Sequence, residues 1–348
     1  MPKISVAILG ATGTVGSQFL NLLQNHPWFE VTHLMASSNS AGHTYGELME
    51  KRWKLESPLP EKYKNMVVQD VNQAIPQVDI AFSALDSNVA GEIEIKYAAA
   101  GVGVFSNSKN HRMHPEVPII IPEINLSHFE SIKNQPFDPK HKGFIVTNPN
   151  CSLQAGALSL YPIFESFGLD RAFITTMQAI SGAGYPGVPS LDILGNVVPH
   201  IDDEEKKIET ETLKIFGGYD SKGFTDANMS LSAMCNRVPV INGHLCSISF
   251  ETKTKVSKED ILEVWKNWKP DISELGLPSY QNPLQYFTQP DRPQPRLDQN
   301  LGNGMTVSVG NLRECNLFDY KYQSLVNNTV RGAAGGAILN AEYWAKIK

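Results

Sequence analysis

The chain has 348 residues, of which 41% are hydrophobic and 19% charged, a balance that supports a sizeable core and two domains and excludes a disordered or fibrous class. Its formal charge of −6 leaves no basic footprint for nucleic acid or an anionic membrane, and basic runs stop at pairs such as Lys206-Lys207. No apolar stretch approaches the length of a membrane span, so the expected partner is a small molecule.

The first expected element is Ile4 to Leu9, a near-continuous apolar run of the kind that a strand buried on both faces of a parallel sheet requires. The run is too short for a secretory signal and leads directly into Gly10-Ala-Thr-Gly-Thr-Val-Gly16. A helix follows, with Phe19, Leu20, Leu22 and Leu23 on its apolar face, and His26-Pro27 ends it before a second strand from Glu30 to Ala36. Strand, glycine turn and helix in this order suit a dinucleotide pyrophosphate, because glycines allow close backbone approach and the helix N-terminus attracts phosphate. Where an NAD enzyme usually carries a carboxylate for the ribose 2′-hydroxyl, this chain reads Ala36-Ser-Ser-Asn-Ser-Ala-Gly42. Ser37, Ser38 and Ser40 can therefore meet a 2′-phosphate, which favours NADP. Further strands are expected at Met66 to Val68, Asp79 to Ser83 and Val102 to Phe105, with a helix from Asn88 to Ala100. Ser83 and Ser106 close two of these strands at the carboxyl edge, where ligands bind in doubly wound sheets.

Phe144-Ile-Val-Thr-Asn-Pro-Asn-Cys-Ser152 then runs a strand into a turn and delivers Cys151 to the start of a helix whose buried stripe is Leu153, Ala157, Leu160, Phe164 and Phe167. A cysteine in a first helical turn meets unpaired N–H groups that favour a thiolate, although a lone cysteine is as readily an inert core residue. The four cysteines, at 151, 235, 246 and 315, form no Cys-x-x-Cys pair and no disulfide framework, which fits a reducing, cytoplasmic compartment. A strand is expected from Ala172 to Ala179, followed by Ser181-Gly-Ala-Gly-Tyr-Pro-Gly-Val188, whose glycines suggest close approach to a ligand. Val238 to Thr254 alternates as a long strand or hairpin, and Thr306 to Leu312 forms another strand, so the second sheet is mixed. His244 interrupts that apolar strand seven residues after Arg237, whereas His26, His111, His128 and His141 lie in polar or turn sequence and are expected at the surface. The small-residue stretch Arg331-Gly-Ala-Ala-Gly-Gly-Ala-Ile-Leu-Asn-Ala-Glu-Tyr-Trp344 is expected to be a helix returning to the first domain. The fold class is thus α/β: a Rossmann-like doubly wound parallel sheet over residues 1–150, completed by a C-terminal helix at about 325–348, and a second α+β domain with a mixed sheet over 151–324.

Five motifs in order carry a resemblance: Gly10-Ala-Thr-Gly-Thr-Val-Gly16, Asn148-Pro-Asn-Cys-Ser152, Gln178 with Ser181-Gly-Ala-Gly184, Glu204-Glu-Lys-Lys207, and the block from Arg237 to His244. Together they resemble the aspartate-semialdehyde dehydrogenases over nearly the whole chain. Gly195-Asn-Val-Val-Pro199 and Asn327-Asn-Thr-Val-Arg-Gly-Ala-Ala334 are similar to the archaeal and fungal branch rather than to the common branch of Gram-negative bacteria. The resemblance implies Cys151 as nucleophile, His244 as general acid/base, and Asn150 and Gln178 as neighbours that place the acyl group. It implies Arg237 gripping the substrate carboxylate, Glu205 or its neighbour Glu204 facing the substrate amine, and Lys207 and Arg112 binding phosphate. For the cofactor it implies Gly10, Thr12, Gly13, Thr14, Val15 and Gly16, the serines Ser37, Ser38, Ser40 and Ser83, and Ser181, Gly182 and Asn328.

The implied reaction is reductive dephosphorylation of L-4-aspartyl phosphate through a Cys151 thioester, with NADP as cofactor and no metal. Asn39 and His43 stand roughly where archaeal and fungal relatives often carry a basic pair, which leaves NAD open beside NADP. Malonyl-CoA reductase has a similar framework, so an acyl-CoA or another acyl-phosphate reductase is the alternative. A dinucleotide-binding sensor without turnover is a remote one, and a thiol hydrolase would make no use of the glycine turn. A homodimer or homotetramer is implied, with the sheet of the second domain as the interface.

Overall fold

The strand expected from the apolar run forms at Ile4–Leu9 (β1), and its side chains divide between two cores because successive strand residues point to opposite faces. In the computed structural model, which describes residues 3–73 and 75–348, Val6 and Ile8 pack with Phe19, Leu20 and Leu23 of the helix Thr14–Leu23 and with Ile338 and Trp344 of the helix Gly335–Ile347. Ala7 and Leu9 join Ile93, Tyr97 and Ala98 of the helix Ser87–Ala99 on the other side. Burial on both faces is why this run carries no polar alternation. Truncating a large residue in either core, Phe19 for example, costs about 3–5 kcal/mol.

Five more strands complete this sheet: β2 (Phe29–Ala36), β3 (Gln69–Asp70), β4 (Ile80–Ser83), β5 (Gly103–Ser106) and β6 (Phe144–Thr147). All pair in parallel in the order β3-β2-β1-β4-β5-β6, so the strand order reverses beside β1, directly above the glycine turn. One expected strand is corrected. Met66 to Val68 is not a strand, because these residues spend their backbone hydrogen bonds on the preceding loop: Tyr45 N donates to Met66 O at 2.8 Å, Gly42 N to Val68 O at 2.9 Å, and Val68 N to His43 O at 3.0 Å. Val67 makes only an isolated bridge, and the ladder forms two residues later at Gln69–Asp70.

The first compact unit comprises the chain up to Ile120, Ser127–Asn148 and Ala333–Lys348. The returning segment, expected to begin near residue 325, begins at Ala333, because the last strand of the other unit runs on to Val326. The expected surface positions of His26, His111 and His128 are also corrected: all three are buried. His26 shows why, since its Nδ1 accepts from the N–H groups of Trp28 (3.2 Å) and Phe29 (3.1 Å) and its Nε2 meets Glu342 at 2.8 Å. A histidine in a turn can thus be the turn's internal cap, whereas His141 is exposed as expected.

The second unit, Ile121–Leu126 and Pro149–Gly332, holds a six-stranded mixed sheet. Its strands are β7 (Leu169–Gln178), β10 (Ser230–Arg237), β11 (His244–Thr252), β12 (Leu284–Phe287), β13 (Val307–Glu314) and β14 (Tyr320–Val326), while β8 (Gly218–Asp220) and β9 (Gly223–Thr225) form a separate hairpin. The order is β10-β7-β11-β14-β13-β12, with β10/β7 and β12/β13 parallel and the rest antiparallel. The helix Leu153–Phe167 lies close on this sheet: a Cβ on Gly156 would stand 3.0 Å from Ile174 Cδ1, Ser159 Oγ meets Tyr322 OH at 2.8 Å, and Ser324 Oγ donates to Ala155 O at 2.8 Å. The strand expected from Val238 begins only at His244. Residues 238–243 form a loop instead, whose Val240 and Ile241 carbonyls accept from Ile180 N (2.7 Å) and Ser181 N (3.1 Å).

Candidate active site

Strand parity puts His244 inside. Along β11 buried and half-buried residues alternate, and His244 shares the buried face with Cys246, Ile248 and Phe250. Across from it stands half-buried Cys151, whose Sγ lies 3.3 Å from His244 Nε2. The expectation that Cys151 occupies the first helical turn is corrected by two residues, since the helix starts at Leu153. Asn150 bridges the difference as the local cap: its Oδ1 accepts from Ser152 N (3.0 Å), Leu153 N (3.2 Å) and Ser152 Oγ (2.7 Å). Cys151 is therefore held inside an Asn-centred turn, with the free end of the helix directly behind it.

That capping asparagine is fixed at its other end too. Its Nδ2 donates to Glu204 Oε2 at 2.8 Å, and its backbone N to Glu211 Oε2 at 2.6 Å. Gln178, at the end of β7, donates from Nε2 to the same Glu204 oxygen at 3.1 Å and to Ser152 Oγ at 3.1 Å. Lys207 Nζ reaches Glu204 Oε1 at 2.8 Å, an i,i+3 pair on the first turn of the helix Glu204–Phe216. Burial pushes the Glu204 carboxyl up, but the Lys207 charge and the hydrogen bonds from Lys207, Asn150 and Gln178 outweigh it and hold it below its ordinary value. The carboxylate is thus held charged.

Glu205 does not share this position. Its Oε1 accepts from Cys235 N at 3.1 Å, at the edge of the sheet, so of the adjacent pair it is Glu204 that joins Asn150 and Gln178. One residue along a helix turns a side chain by roughly 100°. Arg237, the last residue of β10, is buried and donates from Nη1 to Ala179 O at 2.8 Å, while Ala179 N donates to His244 Nδ1 at 3.0 Å. The backbone of one residue therefore aims both groups. A Cβ on Gly182 would lie 2.8 Å from Arg237 Nη1 and 3.0 Å from His244 Nε2, so guanidinium and imidazole converge under a glycine that leaves them room. Burial and the Arg237 charge drive the His244 pKa down to about 3, against a smaller opposing pull from Glu204.

Ser181 and Asn328, expected at the cofactor, meet each other within this unit, Asn328 Nδ2 donating to Ser181 Oγ at 2.9 Å. The remaining expected residues lie in the first unit. Gly10 sits at φ +81°, where a Cβ would stand 2.6 Å from Ala84 O, and a Cβ on Gly16 would stand 2.2 Å from Gly10 O. Thr12 to Val15 span the start of the helix Thr14–Leu23, whose N-cap Gly13 offers no side chain to its first N–H groups. Ser37 and Ser38 are exposed just past β2, Ser40 is buried, and Ser83 is buried at the end of β4. Arg112 is buried as well and donates from Nη2 to Asn107 O at 2.9 Å. Asn107 accepts from Asn148 Nδ2 at 2.9 Å. Sequence reasoning missed Glu211, which accepts from Asn150 N, and Thr176, whose Oγ1 accepts from Gln178 Nε2 at 3.3 Å. It also missed Glu94, whose carboxyl burial pushes up to about 7 even though Ser106 donates to it at 2.6 Å. The one legible signal was the Glu204-x-x-Lys207 spacing.

Comparison with known proteins gives the family. Residues 5–132 match the family model "Semialdehyde dehydrogenase, NAD binding domain", and residues 160–331 match "Semialdehyde dehydrogenase, dimerisation domain". The chain is 45% identical to an aspartate-semialdehyde dehydrogenase of Cryptococcus neoformans, covering 98% of this chain and 96% of the relative. It is 44% identical to one of Methanothermobacter thermautotrophicus, covering 97% and 98% respectively. Among solved structures it is similar to the Candida albicans aspartate semialdehyde dehydrogenase with NADP, at 40% identity, TM-score 0.90 and 99% coverage of both chains. It is also similar to the Vibrio cholerae aspartate semialdehyde dehydrogenase II complexed with ASA, at 25% identity, TM-score 0.78 and 99% coverage of both chains.

Proposed function

The chain belongs to the aspartate-semialdehyde dehydrogenase family, and from that premise we propose that it converts L-4-aspartyl phosphate to L-aspartate 4-semialdehyde, reversibly, in aspartate-family amino-acid biosynthesis. The observation that carries the reading is the pairing of Cys151 Sγ with His244 Nε2 at 3.3 Å, with the Arg237 guanidinium converging on the same imidazole. Cys151 attacks the acyl carbon to form a thioester and release phosphate. Arg237 suits the α-carboxylate of an amino acid, because its planar fork binds such a group with two hydrogen bonds. Glu204, held charged, suits the substrate ammonium, and Lys207 and Arg112 suit phosphate. Asn150 and Gln178 hold the nucleophile's turn in place.

NADP is the cofactor, and it supplies hydride to the thioester carbon. The residues fit it: the tight Gly10–Gly16 turn presents an uncapped helix N-terminus for the pyrophosphate, and the serines after β2 place hydroxyls, with no carboxylate among residues 37–42, where a 2′-phosphate needs them. The solved relative bound to NADP supports the same reading. Assembly as a homodimer or homotetramer is part of the proposal, supported by the match to a dimerisation domain and by exposed Leu191, Leu194 and Ile241 on the second unit. So is a cytoplasmic location; among the described residues no helix is long and apolar enough to cross a membrane.

The test is direct. Phosphate-dependent reduction of NADP with aspartate semialdehyde should be fast and should fall by at least about 10³-fold in Cys151→Ser. Turnover with malonyl-CoA but not with the semialdehyde would replace the substrate, and undiminished turnover by Cys151→Ser would remove the covalent mechanism.

A further inference from the structure

One buried acid takes no part in the chemistry above. Glu94, on the helix Ser87–Ala99, has no exposed surface and faces the turn that follows β5. Ser106 Oγ donates to Glu94 Oε1 at 2.6 Å and itself accepts from Ser108 N at 3.0 Å. Ser108 Oγ donates to Asn110 Oδ1 at 2.5 Å, and Asn110 Nδ2 donates to Ser87 O at 2.8 Å. His111 Nε2 lies 3.1 Å from Gly91 O, to which it must donate because a carbonyl only accepts, and 3.6 Å from Glu94 Oε2.

Ser87, Gly91 and Glu94 stand four and three residues apart, so they form one stripe of the helix, and the turn is laid along it. Gly91 permits the close approach, since a Cβ there would lie 3.0 Å from Asn110 Nδ2. Packing alone does not call for an acid at position 94. Burying a carboxyl costs more than burying an apolar side chain of similar size, so the partners it holds are the reason for its place.

The turn ends at Arg112, the residue suited to phosphate. Arg112 N donates to Lys109 O at 3.2 Å and Arg112 Nη2 to Asn107 O at 2.9 Å, while Asn107 N donates to Ser83 O at 3.0 Å, so the guanidinium takes its place from the same turn. Burial pushes the Glu94 carboxyl up to about 7, and hydrogen bonds from Ser106 and Ser83 and the charge of Arg112 oppose it, which puts acid and guanidinium within electrostatic reach.

Resting on the dehydrogenase reading, in which Arg112 binds phosphate, we propose that Glu94 is the positioning residue of the phosphate site: it receives the Ser106 hydroxyl, docks the turn 106–112 on the helix and so fixes the direction of the Arg112 guanidinium. Glu94 touches no substrate. It acts through Arg112.

The test separates phosphate from the other reactants. In the oxidation of aspartate semialdehyde by NADP, Glu94→Ala should raise the KM for phosphate by about 10-fold or more, as a displaced guanidinium does, while kcat at saturating phosphate and the KM for the semialdehyde stay within about two-fold. Glu94→Gln keeps an acceptor oxygen for Ser106 and should bring the phosphate KM back close to wild type. Ser106→Ala removes the donor and leaves the acid in place; it should raise the phosphate KM in the same direction, and it serves for every comparison if Glu94→Ala does not fold. In an Arg112→Ala background neither change should add a further rise. The proposal is overturned if the phosphate KM is unchanged in these variants, if Gln is as impaired as Ala, or if the effects of Glu94→Ala and Arg112→Ala are fully additive. Oxidation by the wild type without any need for phosphate would instead remove the dehydrogenase reading, so the two failures are told apart.

Discussion

Each unit buries a carboxylic acid beneath the ends of its strands, and the surroundings shift the two pKa values in opposite directions. Glu94 in the first unit has no exposed surface, and burial raises its pKa to about 7 in spite of the hydrogen bond from Ser106 and a weaker pull from Arg112. Glu204 in the second unit is nearly as deep, yet Lys207, Asn150 and Gln178 keep it ionised. The difference teaches how the two platforms are made. The first is built on backbone geometry, with glycines packed tightly at a helix end, and burial makes its acid easier to protonate. The second is built on side chains that hold one another, and a single charge organises the turn that carries Cys151.

Removing that charge should have the largest effect. Glu204→Ala leaves Lys207 and two carboxamides without their shared acceptor, and chemical denaturation should show a loss of about 3–5 kcal/mol. Glu205→Ala, losing only its bond to Cys235 N, should cost about 1 kcal/mol. Equal losses would erase the distinction between the neighbours. In the backbone platform, Gly10→Ala introduces a Cβ at φ +81° and 2.6 Å from Ala84 O, which should cost about 1–3 kcal/mol. Titration calorimetry should show it weakening NADP binding, while alkylation of Cys151 in the free enzyme proceeds as before.

The last effect is a slope. Because the pKa of Glu94 is raised, the native state keeps a proton that the unfolded state has lost between pH 4.5 and about 7, so this group makes stability fall as pH rises through that window. His244 acts in the opposite sense, since its pKa is lowered from 6.5 to about 3 and stability rises with pH across that range. The two oppose each other between pH 4.5 and 6.5, so the wild type hides both. Glu94→Gln should uncover a gain of about 1.4 kcal/mol per pH unit relative to wild type, read from urea midpoints at several pH values. An unchanged difference across the window would show that Glu94 is ionised in the native protein.

Much of the fold was legible in the chain. Ile4 to Leu9 could only be a strand buried on both sides, and the helix that opens within the glycine turn, at Thr14, closes at Leu23, short of His26-Pro27. Cys151, His244 and Arg237 were legible as candidates because their residue types carry chemistry and their neighbours break an apolar pattern. The start of the strand at His244 was not, since Val238 to Gly243 alternate equally well but are drawn to the turn after β7. Nor was the burial of His26, His111 and His128, because a polar local sequence does not reveal a distant or internal hydrogen-bond partner.

The amino-acid sequence alone determined which segments are apolar on one face or two, where the glycines relax the backbone, and which reactive side chains exist; these follow from local sterics and periodicity. Tertiary structure decided which of two adjacent glutamates serves the site, and which imidazole nitrogen faces the sulfur. Both depend on partners far away in the chain, Asn150 and Gln178 for Glu204 and the peptide of Ala179 for His244. A charge or a tautomer is set by the groups that surround it in space, and sequence order carries no distance to them.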